Sequence, residues 1–424
     1  MTGRHLILSL ILIVVLSVQA AAAPVQLIVQ LKSNSLLGGV LNLLNGVVLD
    51  SIPEANLYLI SLPKLPILSE LVMTLNGVLW SEPNAGVPQP PMARLGVLST
   101  KQTAADWYKY QPAFKKVRAQ EALAYSTGSN VVIADINSLV DYSHPAIRQH
   151  LTTSYDLVSG RSYSTANLNQ SSSGFLDQSS SGFLDQSSSG FLDGESATFL
   201  QQSSSGFLDT GNLPFANNPA YSHGTLTVGV MAAIAPNALI MPVRAFDDQG
   251  NADLFTLAKA IRQSVRGGAD IVNMSWGTTT DSKAIKNAID YAKSNGVILV
   301  ASAGNNNTSS PQYPAVYSGV MTVAATDIND VKGSFSNYGK HVELDGPGVN
   351  IISAYPDNLY AMVSGTSFSA PIVAAELALV RSVKYYGVTT SVTSATVNID
   401  AKNPKYIGLL GSGRVDILKA VRGY

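Results

Sequence analysis

Ser364-Gly365-Thr366-Ser367-Phe368-Ser369-Ala370-Pro371 decides how the rest of the chain is read. It sets a serine on a glycine turn at the head of a long apolar run, residues 372–383, broken only by Glu376, Arg381 and Ser382. That run predicts a buried helix. A serine at its start lies at the positive end of the helix, where backbone N–H groups lack partners within the helix. Such groups suit an oxyanion that develops beside the hydroxyl. A plain Ser/Thr N-cap is the commoner use of a residue placed this way. Two neighbours speak for more than a cap. Gly365 lets a ligand approach the backbone closely. Pro371 falls inside the helix, where it deletes a hydrogen bond at a cost of about 3 kcal/mol unless its surroundings offset it.

The chain has 424 residues, enough for more than one domain. Hydrophobic residues make up 46% and charged residues only 13%, which suits a large core under a sparsely charged surface. A net charge of −1 gives no electrostatic case for nucleic acid or for an anionic membrane surface. The absence of cysteine removes disulfides, thiolate chemistry and cysteine-ligated metals together. At the N-terminus, Arg4 and His5 precede the apolar residues 6–18 and then Gln19-Ala20-Ala21-Ala22-Ala23. This is the pattern of a secretory signal peptide, residues 1–23. The apolar stretch is shorter than the roughly 20 residues a bilayer demands. The expectation is a secreted, extracellular chain with no membrane attachment once the signal is removed.

Residues 24–84 predict a small domain. Strands at 25–31, 47–52, 56–62 and 77–81 and helices at 36–44 and 65–75 give the order β-α-β-β-α-β, a ferredoxin-like α+β arrangement. Residues 85–105 follow as an exposed linker that begins Ala85-Gly86-Val87-Pro88-Gln89-Pro90-Pro91 and is open to proteolysis. From residue 106 to 424, short apolar strands at 131–134, 239–243, 271–274, 297–301 and 320–324 alternate with helices at 255–265 and 284–294. Buried strands alternating with helices predict an α/β domain with a mostly parallel central sheet and helices on both faces. Within it, Gln170-Ser171-Ser172-Ser173-Gly174-Phe175-Leu176-Asp177 recurs at residues 178–185, 186–193 and 202–209. An insertion at 170–209 of such low complexity predicts a surface segment. Its aspartates are too sparse for a calcium site, which gathers several oxygens at once.

A serine nucleophile needs a general base, and the base needs an orienting group. Of the histidines, His223 stands out: it opens His223-Gly224-Thr225 at the head of the small-residue apolar run 226–233. Asp135 ends the predicted strand 131–134, and ligands of open α/β sheets bind at the carboxyl ends of strands. Each signal alone has an ordinary structural explanation. Together, Asp135, His223 and Ser367 in that order, each in a distinctive neighbourhood, resemble the subtilisin-like serine proteases. The resemblance rests on Val131-Val132-Ile133-Ala134-Asp135, on His223-Gly224-Thr225 and on Gly365-Thr366-Ser367-Phe368-Ser369-Ala370-Pro371. Ala301-Ser302-Ala303-Gly304-Asn305 and Asn273-Met274-Ser275-Trp276-Gly277 match two further blocks. The likeness covers residues 105–424.

That resemblance implies a serine endopeptidase with Asp135, His223 and Ser367 as its triad and Asn305 in its oxyanion hole. It implies substrate contacts from Ser275, Trp276, Gly277, Ala301, Ser302, Ala303 and Gly304, with Trp276 at the wall of a roomy apolar pocket. It implies that residues 24–84 are a propeptide, a folding aid and inhibitor of its own chain, released by cleavage within the linker. The expected partners are protein or peptide substrates and this propeptide, on a monomeric enzyme. No cofactor is expected. The family's strong calcium site is not, because Ala146 and Ile147 follow His144-Pro145 and residues 231–236 run straight into the next strand; a weaker cation site near residues 313–327 stays open. The chain departs from the family after Asp135. The stretch Asp135-Ile136-Asn137-Ser138-Leu139-Val140-Asp141-Tyr142-Ser143-His144-Pro145 is two residues longer than the family's Asp-Ser/Thr-Gly…Asp…His-Pro, and Ser138 is the hydroxyl left to support the acid. Asp141 suits the family's second, structural aspartate. The departure motivates the alternative of a catalytically impaired, subtilase-like binding protein. An α/β-hydrolase esterase is a poorer fit, since it requires Gly-x-Ser-x-Gly and a different residue order.

Overall fold

The computed structural model describes residues 24–63, 77–92, 94–99, 107–163, 198–199 and 219–423. The predicted signal peptide, the predicted helix at 65–75 and all four Ser-rich repeats lie outside those residues. The chain divides into two compact units, one ending at Asn84 and one beginning at Ala85.

In the first unit, β1 (Val25–Leu31) is followed by α1 (Leu37–Leu44), β2 (Val47–Ile52), β3 (Leu57–Leu62) and β4 (Val78–Pro83). The strands pair antiparallel in the order β2-β3-β1-β4. Alternation along β1 sends Leu27, Val29 and Leu31 to one face, where they bury against Val40 of α1 and against Tyr58, Ile60 and Leu62.

The second unit opens with two linker strands, β5 (Gly86–Pro88) and β6 (Arg94–Ser99), before the short helices α2 (Pro112–Lys116) and α3 (Ala119–Ala122). Its frame then runs β7 (Val132–Asn137), β8 (Ser154–Asp156), β9 (Arg161–Tyr163), β10 (Thr198–Phe199), α4 (Pro219–Ile234), β11 (Leu239–Arg244), β12 (Asn251–Asp253) and α5 (Leu254–Arg266). It continues through β13 (Ile271–Met274), α6 (Lys283–Ser294), β14 (Ile298–Ser302), β15 (Val320–Thr326), β16 (Leu344–Pro347), β17 (Ile351–Tyr355), β18 (Leu359–Ser364) and α7 (Thr366–Val383). The main sheet has the order β16-β15-β14-β13-β7-β11-β8-β9, parallel except for the β8–β9 edge pair. Its central strands β13 and β15 are buried along their whole length, as expected of a sheet covered on both faces. After β7 the chain adds β11 on one side and β13 on the other. The strand order therefore reverses beside β7, and a crevice opens there at the carboxyl ends.

Helix α7 is long and apolar enough to cross a membrane by composition, yet 83% of that window is buried inside the protein. It forms the core of the unit with α4, Phe368, Ile372, Val373 and Leu377 packing beside Leu226 and Val230. Pro371 sits inside it, as the sequence requires. A proline there leaves the carbonyl four residues back without its helical donor. That carbonyl belongs to Ser367, and the Ser275 hydroxyl donates to it at 2.9 Å. The loss at Pro371 is thus made good from the end of β13.

Candidate active site

Ser367 lies in the first turn of α7 and His223 in the second turn of α4, each about 2% exposed. The His223 ring packs on Phe368, the residue after the serine, with 5.8 Å between ring centres. The Ser367 hydroxyl donates to the Ser275 carbonyl at 3.3 Å. The His223 Nε2 is buried and has no hydrogen-bond partner among the described residues. Burial pushes the imidazole down to about 4.

Two features bring α4 to the sheet. A Cβ on Gly224 would come within 2.7 Å of the Ser138 carbonyl, so only glycine lets the helix lie against the loop after β7. Thr225 then accepts from the Asp141 N–H at 2.9 Å, and the Gly224 N–H donates to the Ser138 hydroxyl at 3.1 Å. Asp141 in turn accepts from the backbone N–H groups of Ser143 and Asp357, as a loop-fixing aspartate does.

The partner of His223 differs from the sequence expectation. Nδ1 faces the Oδ1 of Asn137 at 2.8 Å, and Asp135 does not fill that place. The reason is the length of β7. Ile136 is buried as fully as the residues before it, so the strand continues to Asn137 instead of ending at Asp135. Residues two apart on a strand share a face. Asp135 and Asn137 therefore project the same way, with Asn137 one step nearer the carboxyl end where His223 waits. The sequence held the signal: counted back from Asp141 and His144-Pro145, Asn137-Ser138 falls where the family's Asp-Ser/Thr belongs, and the two surplus residues vanish.

Asp135 is 1% exposed and accepts from the Thr227 hydroxyl at 2.6 Å, from Asn273 Nδ2 at 2.7 Å and from Asn137 Nδ2 at 3.2 Å. Burial pushes its carboxyl up to about 6, against the opposing pull of those three bonds. Asn273 also donates to the Ser275 hydroxyl at 3.0 Å. One hydrogen-bonded chain thus runs from Asp135 through Asn273 and Ser275 to the backbone of Ser367.

Asn305 follows β14. Its Oδ1 accepts from the Thr366 N–H at 2.9 Å and the Thr366 hydroxyl at 2.8 Å, which turns Nδ2 outward. There Nδ2 donates to the carbonyl of Pro91, in the linker, at 3.3 Å. A Cβ on Gly365 would sit 3.4 Å from that Nδ2, so the glycine keeps the space before it clear. The linker is held on either side of Pro91. Strand β5 pairs antiparallel with β12, the Gln89 N–H donates to the Gly250 carbonyl at 2.7 Å, and β6 pairs antiparallel with β18.

Parallel pairing sets Met274 beside Ala301, so Ser275-Trp276-Gly277 and Ser302-Ala303-Gly304 leave the sheet side by side. Trp276 is 1% exposed, with its ring 6.5 Å from that of Phe246, and is packed into the core instead of walling an open pocket. A residue the sequence reading passed over intervenes. Gln312 Oε1 would lie 3.0 Å from a Cβ on Gly277 and would collide with one on Gly304. Its amide therefore reaches between the two strands expected to wall the pocket. Among the described residues, no cluster of three or more His, Cys, Asp or Glu side chains is arranged to hold a metal ion.

The sequence profile described as the Subtilase family matches residues 128–412. Thermitase of Thermoactinomyces vulgaris is 36% identical over 211 residues, 47% of this chain and 75% of its own length. The thermostable alkaline protease of Halalkalibacterium halodurans is 36% identical over 220 residues, 49% of this chain, which spans 61% of that relative's length. Among solved structures, the keratinolytic enzyme fervidolysin of Fervidobacterium pennivorans matches with a TM-score of 0.69 at 22% identity, over 95% of this chain and 61% of that one. The epidermin leader peptide processing protease of Staphylococcus aureus matches with a TM-score of 0.67 at 18% identity, over 94% and 98%. The likeness to these two structures is one of fold.

Proposed function

The chain belongs to the subtilase family, and from that premise we propose that it is a secreted serine endopeptidase. The observation that carries the reading is the peptide carbonyl of Pro91 on the amide of Asn305. A donor aimed at the oxygen of a peptide bond, beside a serine at a helix N-terminus, is what acyl transfer requires. In the proposed reaction Ser367 turns from the Ser275 carbonyl toward His223 Nε2, which takes its proton as Oγ attacks the substrate carbonyl. Asn305 Nδ2 and the backbone N–H at Ser367 receive the oxyanion. Collapse releases the amine, protonated by His223, and water hydrolyses the acyl-enzyme by the reverse sequence. Asn137, not Asp135, is the group that faces His223 Nδ1. Similarity to the minor extracellular protease Epr of Bacillus subtilis, 43% identical over 169 residues, supports an extracellular location. No cofactor takes part in this mechanism.

From the same contact we infer a maturation bond. The linker would present Pro91–Met92 as the first peptide cleaved, releasing residues 24–91 as a propeptide. Expressing residues 24–424 beside the Ser367→Ala variant tests both points. The wild type should yield a product with Met92 at its N-terminus and should react with a fluorophosphonate; the variant should do neither. A folded wild type that stays uncut and unlabelled refutes the reading, and a cut elsewhere refutes the assigned bond.

A further inference from the structure

An asparagine beside a catalytic imidazole is two-faced. With its oxygen toward Nδ1 it accepts the Nδ1–H and leaves Nε2 free to take the serine proton. With its NH2 toward Nδ1 it donates, the ring proton moves to Nε2, and the base is lost. Elsewhere in the serine proteases, the aspartate-to-asparagine change costs about 10⁴-fold in kcat by way of the wrong tautomer. Fixing the amide would remove that part of the loss.

The surroundings of Asn137 fix it. The Ser138 N–H donates to Oδ1 at 2.9 Å, and a backbone N–H can only donate. Gln89 Nε2 donates to the same oxygen at 3.2 Å. On the other side, Nδ2 donates to Asp135 Oδ2 at 3.2 Å and to the Thr227 hydroxyl at 2.9 Å. The Thr227 hydroxyl has its own acceptors in Asp135 at 2.6 Å and in the Gly224 and His223 carbonyls at 3.0 and 3.2 Å, which leaves its oxygen to accept from Asn137. Turning the amide over would set NH2 against the Ser138 N–H and its oxygen against the Asp135 carboxylate. Both contacts are repulsive, and the site is buried, where electrostatic errors are costly.

Resting on the endopeptidase reading, we infer that Asp135 is a positioning residue that locks the amide of Asn137 and so holds His223 in its Nδ1–H tautomer. The acid stands one hydrogen bond behind its usual place and acts through the amide instead of touching the imidazole. It sets the tautomer together with the Ser138 N–H, which holds the amide oxygen from the other side, while its charge supports the imidazolium from further away.

A double-mutant cycle between Asp135→Ala and Asn137→Asp tests the lock, read in residues 24–424 as the rate of self-cleavage. A carboxylate at position 137 offers only acceptors and has nothing to lock. With Asn137 in place, Asp135→Ala should slow cleavage by 10²-fold or more. In the Asn137→Asp background the same change should not slow cleavage, since it also removes a buried carboxylate that would face the one at position 137. In the uncut Ser367→Ala chain, ¹⁵N NMR should show the His223 proton on Nδ1, and on Nε2 once Asp135→Ala is added. Equal losses in both backgrounds, or an unchanged tautomer, would overturn the inference, because they describe a merely structural residue. A wild type that is inert while Asn137→Asp is active would also overturn it. Folded chains that are inert in every combination would sink the endopeptidase reading itself. Should Asp135→Ala not fold, Asp135→Asn keeps the volume but only one acceptor; it should still cost at least tenfold with Asn137 and little in the Asn137→Asp background.

Discussion

Removing the Ser275 hydroxyl probes the link between Pro371 and the nucleophile's own backbone. Ser275 is 1% exposed and its Oγ donates to the Ser367 carbonyl at 2.9 Å, the bond that stands in for the one Pro371 cannot make. Ser275→Ala leaves that carbonyl buried without its donor, a cost of about 1–3 kcal/mol. Asn273 Nδ2 loses one acceptor but keeps Asp135. With Pro371→Ala in place, position 371 regains an N–H that reaches the Ser367 carbonyl in the ordinary helical ladder. The same serine change should then cost less than about 1 kcal/mol, and the coupling between the two sites should be about 1 kcal/mol or more. Pro371→Ala also removes buried ring carbons, but that loss cancels in the cycle. The assay is thermal unfolding of four chains, all carrying Ser367→Ala to prevent self-digestion. Each kcal/mol corresponds to at most about 2–4 °C in a domain this large. Ser275→Ala should lower Tm by a few degrees beside Pro371 and by barely a degree in the Pro371→Ala background. Equal drops in both backgrounds would show that the hydroxyl does not compensate for the proline.

Two further expectations concern the same core. His223, pushed down to about 4 from an ordinary 6.5, stays neutral in the folded chain where the unfolded chain binds a proton, so its contribution to stability is lost as pH falls from 6.5 to 4. Asp135, pushed up to about 6 from 3.8, does the reverse: it destabilises the fold fully above pH 6 and ceases to do so below 3.8. Each effect is about 3 kcal/mol and their signs oppose; relative to wild type, acidification from 6.5 to 4 should therefore stabilise His223→Gln and destabilise Asp135→Asn, and denaturant titrations of uncut chains that show the same slope for both would refute the assignment. Gln312→Gly should open the space between Gly277 and Gly304, so product profiling of a mixed peptide library should shift toward larger residues before the cut; an unchanged profile would remove Gln312 from the pocket.

The parallel sheet was legible because its strands carry a strong local signal. Ile271–Met274 is a short apolar run between a glycine-rich turn and a polar loop, and the strand occupies those residues. The serine and histidine blocks were legible because glycine, proline and small residues sit where ordinary helices avoid them. Asp135 misled for a physical reason. A charged residue after an apolar run looks like a strand end, and here the charge is carried inside, met by Thr227, Asn273 and Asn137 from three different elements. None of those partners is near Asp135 in sequence except Asn137. Gln312 was invisible for a similar reason: nothing local marks a glutamine that a loop delivers between the ends of two strands lying earlier in the chain.

The placement of the acid also explains why the site tolerates it. On a strand, the positions that can share a face with Asn137 are two residues away on either side. The position two residues on lies in the loop beyond β7, which is shaped by the contacts of Ser138 and Asp141. The position two residues back is inside the sheet, between β11 and β13, where neighbouring strands and α4 already supply donors. A carboxylate there exchanges direct contact with the imidazole for three fixed hydrogen bonds, and burial still pushes its pKa up against their pull. What survives the move is orientation, because hydrogen bonds pass on direction through an amide; what weakens is charge stabilisation, which falls with distance and cannot be relayed. On the proposed endopeptidase reading, the site would keep the geometry of proton abstraction while giving up part of the stabilisation of the imidazolium. The first enzymatic consequence should be a lower rate in the step that forms that cation, with the binding of the linker at Asn305 and Gly250 unaffected.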